Sequence, residues 1–206
     1  MGADRPVHGV VLAGGDSVRF GDGDKALAEL DGRPLLAHVV DTVAATSAEP
    51  PLLAVATRRE GVRLADVVAE TVEPVVDRAA YQGPLAGLVS AAERATYPWL
   101  FVCGCDMPLV TGRVIDALWD RVDGDLDAVV PVVDGHEQPL CALYRRGTVE
   151  EITPELPETA GLRVLLDEFE AVERVDNRAV DGTLATAVTN VNTQAELSEL
   201  RDRTGM

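Results

Sequence analysis

Residues 14–25 read Gly-Gly-Asp-Ser-Val-Arg-Phe-Gly-Asp-Gly-Asp-Lys, and the side chains in this run suit the gripping of a triphosphate. Gly14 and Gly15 carry no Cβ to hold phosphate oxygens away from backbone N–H groups. Arg19 can fork onto a β- or γ-phosphate, and Lys25 can set a compact ammonium against one phosphoryl oxygen. Lys25 is also the only lysine among 206 residues. A chain that has otherwise exchanged lysine for arginine retains it where a planar guanidinium would be too wide. Two rival patterns fail here. Ala26, not Ser or Thr, follows Lys25, so the Walker loop's magnesium-holding hydroxyl is missing. "GDGDKA" fits the dinucleotide fingerprint in letters, but its first glycine lies eight residues beyond Ala13, too far from the preceding apolar run.

These side chains need a scaffold, and the hydrophobic pattern supplies one. "VHGVVLA" (7–13), "LLAVAT" (52–57), "EPVVD" (73–77), "WLFVCGCD" (99–106) and "LDAVVPVV" (126–133) are apolar runs of strand length. Between them, "PLLAHVVDTVAA" (34–45), "GVRLADVVAE" (61–70), "GPLAGLVSAAERA" (83–95) and "VIDALWDRV" (114–122) keep helical spacing. The alternation predicts an α/β fold, a mostly parallel sheet with helices on both faces. After residue 134 the pattern changes. "QPLCALYRR" (138–146) follows an Asp134-Gly135 turn and should return as an antiparallel strand. "GLRVLLDEF" (161–169) reads as a helix and "AVERVD" (171–176) as a strand, and Thr193-x-x-Glu196 is a capping box for a last helix. Ligands gather at the carboxyl ends of such strands. The Gly14–Gly15 loop, Asp77, Asp106, and Asn190 with Asn192 all fall at such ends. The bland readings are a glycine-tolerant surface turn for the loop, turn or cap roles for Asp77 and Asp106, and a helix-start corner for the two asparagines.

Bulk composition narrows the classes. Thirty-five acidic against 18 basic side chains give a formal charge of −17, which argues against nucleic-acid phosphates and anionic membranes as partners. The spread of acid along the chain suits a salt-adapted cytoplasm. Aromatics are only 4%, so Val, Leu and Ala must fill the core of what should be one domain spanning 1–206. No 18-residue apolar stretch is present, which argues against a membrane span. Cys103, Cys105 and Cys141 are odd in number and lack finger spacing, which favours buried thiols over a metal site. His8, His38 and His136 have no partners at ligand spacing, and Trp99 and Trp119 should fill the core.

"LAGGDSVRFGDGDKAL" resembles the signature of the molybdenum cofactor guanylyltransferases, in the nucleotidyltransferase superfamily. "GPLAGL" (83–88), "CDMPLV" (105–110), "QPLCALY" (138–144) and "NVNT" (190–193) resemble its later blocks in order, over roughly residues 9 to 197. The resemblance implies a Rossmann-like three-layer sandwich, with a nucleotide-binding half near 7–110 and an acceptor-binding half near 111–202. It implies transfer of GMP from GTP to the phosphate of molybdopterin, with pyrophosphate released. Leu12, Ala13, Gly14 and Gly15 would then line the nucleotide, Arg19 and Lys25 would serve catalysis at its phosphates, and Asp77 would contact it after one residue of slippage. Asp106 would hold Mg²⁺, and Asn190 and Asn192 would lie near the acceptor or metal. Transient contact with other cofactor-biosynthesis proteins or molybdoenzymes fits such a role. The family tends to place an asparagine that contacts the base at the end of the second strand, and this chain departs from that pattern with Val55 and Thr57. A cytidylyl or guanylyl transfer to another phosphate acceptor, such as a cobamide precursor, and a non-catalytic nucleotide-binding module remain the alternatives.

Overall fold

The computed structural model describes residues 6–13, 25–56, 63–64, 67–68, 72–77, 80–81, 83–180 and 182–204. The chain order is β1 (Val7–Leu12), β2 (Glu29–Leu30), β3 (Arg33–Pro34), α1 (Leu35–Ala44), β4 (Leu52–Val55), β5 (Glu73–Val76) and α2 (Pro84–Arg94). It continues with β6 (Trp99–Gly104), α3 (Gly112–Trp119), β7 (Ala128–Val133), β8 (His136–Glu137), β9 (Cys141–Arg145) and α4 (Arg146–Ile152). The last elements are α5 (Leu162–Glu168), β10 (Val172–Asp176), α6 (Thr183–Ala187) and α7 (Gln194–Thr204). Residues 63–64 and 67–68 are helical, and the rest of the 61–70 helix expected from sequence lies outside the described residues.

The main sheet runs β10-β7-β9-β6-β1-β4-β5, with β8 hydrogen-bonded to β7. β5, β4, β1 and β6 are mutually parallel, and β10 is parallel to β7. β9 is antiparallel to both β6 and β7, so the late reversal expected from sequence is present. It is built in two steps. Asp134 (φ 50°) and Gly135 (φ 77°) turn the chain into β8, paired through Val133 and His136. Two consecutive positive φ angles match the right-handed strand twist, which is why Asp-Gly suits this two-residue hairpin. Residues 138–140 then carry the chain on to β9.

Strand periodicity sorts the apolar side chains onto two faces. Val7, Val11, Leu53, Val55, Phe101, Cys103, Cys141 and Leu143 share one core with residues of α1, α3 and α6. Val10, Leu12, Leu52, Ala54, Leu100, Val102, Ala142 and Tyr144 share the other with residues of α2, α4 and α5. The result is the helix–sheet–helix sandwich the alternation predicts. A third, smaller core joins Leu30 and Leu35 near the start of the chain to Val191, Leu197 and Leu200 near its end.

The lesser sequence expectations also find their places. Trp99 and Trp119 meet edge to face with ring centroids 6.5 Å apart, and the Arg145 guanidinium lies over Trp99. The histidines serve backbone carbonyls: His8 pairs with Pro50, His38 with Leu30 and His136 with Asp134. None of the three cysteines is in a disulfide, and no cluster of three metal-ligating side chains occurs among the described residues. Burial pushes the Cys141 thiol up to about 12, and burial also raises Cys103, helped by Cys141, Asp106 and Cys105 nearby. No helix among the described residues is long and apolar enough to cross a membrane.

Candidate active site

The in-register pairing of β1 with β6 sets Leu12 beside Gly104. Cys105 N–H then donates to Leu12 O at 3.0 Å, and Ala13 N–H to Ala54 O at 2.9 Å, so the ladder continues just past the strand ends. Asp106 therefore emerges at the carboxyl edge, in the centre of the sheet. Its carbonyl accepts from Val191 N–H at 2.9 Å, a bond that draws the 190–193 block against the 105–108 turn.

Around this turn three distant stretches of sequence meet. Lys25 Nζ donates to Asp106 Oδ2, 81 positions away, and to Asn192 Oδ1, 167 positions away, the latter at 2.6 Å. Lys25 and Asp106 side chains keep only 17% and 16% of their exposure, so water screens the pair weakly. The backbone of Lys25 is fixed as well. Lys25 begins a 3₁₀ turn (Lys25–Leu27) whose Ala26 is buried, and Ala28 N–H donates to Lys25 O.

The asparagine block is fixed by the helix behind it. Glu196 Oε2 accepts from Asn192 N–H at 2.6 Å and Thr193 N–H at 2.9 Å, and Glu196 N–H donates to Thr193 Oγ1 at 3.2 Å. This is the capping box expected from Thr193-x-x-Glu196, and it stations Asn192 in front of Lys25. Asn190 Oδ1 is buried with no hydrogen-bond partner among the described residues. Such an atom is suited to receive a donor or a cation from a ligand.

Asp77 stands apart from this cluster. It follows β5, separated from the end of β6 by β1 and β4, or about 14 Å at ordinary strand spacing. Its N–H donates to Val55 O. The carboxylate lies over α2 near Gly87, where a Cβ would stand 2.8 Å from Leu12 Cδ2 and 3.3 Å from Asp77 Oδ1. Gly87 thus lets α2 settle onto the ends of β1, β4 and β5, with Asp77 near the positive end of the helix. Val55 is fully buried in the core, so no base contact comes from its side chain. Gly14, Gly15, Arg19 and Thr57 lie outside the described residues.

Sequence reasoning missed Gly87 and Gly104. An ideal Cβ on Gly104 would sit 2.5 Å from Asp106 Oδ1, so the carboxylate occupies the space a side chain would take. A glycine one residue before the end of an otherwise apolar run was the available signal. Gly104→Ala is expected to push the carboxylate off Lys25 and cut nucleotidyl transfer by about 10²-fold. The melting temperature should stay within about 5 °C, because the clash is relieved by rotating one side chain. Pyrophosphate release and a thermal melt on the same sample check this. Undiminished turnover would show that Asp106 tolerates the displacement.

The model of the MobA-like NTP transferase domain matches residues 9–175. The chain belongs to that family. A Bacillus cereus protein named probable molybdenum cofactor guanylyltransferase is 32% identical over 188 residues, covering 91% of this chain and 92% of that protein. A protein of the same name from Bacillus cytotoxicus is 31% identical over 158 residues, covering 75% and 76% of the two chains. Among solved structures, molybdopterin-guanine dinucleotide biosynthesis protein A from Archaeoglobus fulgidus superposes with a TM-score of 0.78 at 22% identity, covering 96% and 98%. The family makes this chain a nucleotidyltransferase, and its fold is the nucleotidyltransferase α/β fold. Of the blocks singled out in the sequence, those holding Lys25, Asp106 and Asn192 come together at the sheet edge, and in the 138–144 block Tyr144 is buried and donates to Pro139 O.

Proposed function

We propose that this enzyme transfers GMP from GTP to the terminal phosphate of molybdopterin and releases pyrophosphate. The observation that carries the reading is the contact of Lys25, Asp106 and Asn192, residues of three blocks that meet at the carboxyl edge. The names of its relatives support guanine as the base and the molybdenum cofactor pathway as the setting.

The donor set suits Mg²⁺. Hard divalent cations take oxygen ligands, and Mg²⁺ in particular uses one or two carboxylates together with substrate phosphates. Asp106 supplies the carboxylate, and Asn190 and Asn192 flank Val191, whose N–H donates to the Asp106 carbonyl. Bound there, the ion would neutralise charge on the phosphates being separated. The protein's part is then alignment and charge. The acceptor phosphate is already anionic at neutral pH, so its oxygen attacks the α-phosphorus without a general base. The bond from α-phosphorus to the bridging oxygen breaks, and pyrophosphate leaves with that oxygen. Lys25 and Arg19 offset the charge building on the leaving group, and Leu12, Ala13, Gly14, Gly15 and Asp77 hold the nucleotide in line. The spacing of Asp77 and Asp106 along the edge suits a ligand extended across β4 and β1, with the nucleoside toward Asp77.

Pyrophosphate release with molybdopterin as acceptor, compared for GTP and CTP, tests the reading. GTP should be preferred and the dinucleotide product should appear. Release with CTP alone would make the enzyme a cytidylyltransferase. Stoichiometric GTP binding without release, whatever the acceptor, would make it a binding module.

A further inference from the structure

Asp106 presents its two carboxylate oxygens differently. Oδ1 is turned in over Gly104, in the space that a side chain at 104 would fill, while Oδ2 receives the Lys25 ammonium. A divalent ion approaching Asp106 from the site meets an oxygen already covered by a cation. Two cations on one oxygen at a weakly screened position repel each other strongly. The rest of the molecule sharpens the point. With a formal charge of −17, the surface concentrates divalent cations around itself, so an uncovered carboxylate here would load with metal whether or not nucleotide were present.

We infer that Lys25 is an internal stand-in for the metal: it covers Asp106 Oδ2 in the empty enzyme and leaves only when a triphosphate draws it away. This rests on the proposed metal role of Asp106. The lysine stem is long and flexible, its ammonium is a single point charge already divided between Asp106 and Asn192, and phosphate oxygens are the acceptors that draw it away. Metal and nucleotide therefore bind cooperatively. Each is weak without the other, because metal alone must evict Lys25 and nucleotide alone must detach it from Asp106 uncompensated.

The chain's lone lysine makes the inference directly observable. Protein labelled with ¹³C at lysine Cε gives a single side-chain signal, that of Lys25. In the nucleotide-free enzyme this signal should differ from that of Asp106→Asn, and it should move when GTP and Mg²⁺ are added together but little with Mg²⁺ alone at the same concentration. In parallel, Mn²⁺ binding without nucleotide, followed by electron paramagnetic resonance, should be about tenfold tighter in Lys25→Met than in wild type. A second neutral variant, Lys25→Gln, repeats the measurement should Lys25→Met fail to fold. Equal or weaker Mn²⁺ binding in the neutral variants overturns the inference, as does a Lys25 signal unchanged by Asp106→Asn. These readouts need no turnover. If they fail while wild type still transfers GMP, only the inference falls, and if wild type transfers nothing, the proposed reaction falls.

Discussion

Asp106→Ala is expected to lower GMP transfer by about 10³-fold or more while the protein melts as wild type does, within a few degrees. The fold should survive because the backbone bonds around this turn do not involve the carboxylate. Asp106 O still accepts from Val191 N–H, and Cys105 N–H still donates to Leu12 O. What disappears is the carboxylate in contact with Lys25, and with it the proposed anchor for Mg²⁺. Asp106→Asn separates the two contributions. It keeps the shape and an oxygen acceptor but removes the charge, so activity close to the alanine variant would identify charge as the requirement. Steady-state pyrophosphate release in Mg²⁺ is the measurement, and near-normal release from either variant would sink the metal assignment.

Lys25→Arg should be the second most damaging change despite conserving charge, with a loss of about 10²-fold. The ammonium fits between Asp106 Oδ2 and Asn192 Oδ1 as one nitrogen serving both. A guanidinium spreads its charge over a planar fork and cannot bring one compact centre to that point. The substituted arginine would satisfy Asp106 from a different direction and leave Asn192, so the phosphates would meet a displaced charge. The effect should fall mainly on kcat, because overall attraction for the triphosphate is retained. Full activity would remove the explanation for why a chain rich in arginine keeps this lysine.

The candidate residues stand out in the sequence because each follows an apolar run: Lys25 after the first, Asp77 after the third, Asp106 after the fourth. The shared edge of Asp77 and Asp106 followed from sheet topology, since parallel strands end on one side, although only Asp106 meets Lys25 there. Space was not legible. Gly104 and Gly87 matter for the atoms that fill their missing side chains, Asp106 Oδ1 in one case and Leu12 with Asp77 in the other, and that is a property of packing alone. Short elements were also missed. The β2–β3 hairpin turns on Asp31 and Gly32, the same dipeptide recognised at 134–135, but its two-residue strands are too brief to show alternation. The run 138–146 reads as a strand to its end, and Arg145 does close β9, yet Arg146 opens α4, whose Val149 is buried in the core shared with α2. α6 spans five residues, little more than one helical turn, too short for a period to emerge.

The small core shared by Leu30, Leu35, Val191, Leu197 and Leu200 buckles the beginning of the polypeptide to its end, and this sets a timetable for biogenesis. Lys25 leaves the ribosome 167 residues ahead of the amide oxygen that steadies it. At ordinary translation rates that interval is on the order of ten to thirty seconds. The early parallel strands can pair during this time, but the buckle cannot close. A nascent chain therefore carries Lys25 and Asp106 well before the Asn192 amide that completes their cluster has been made.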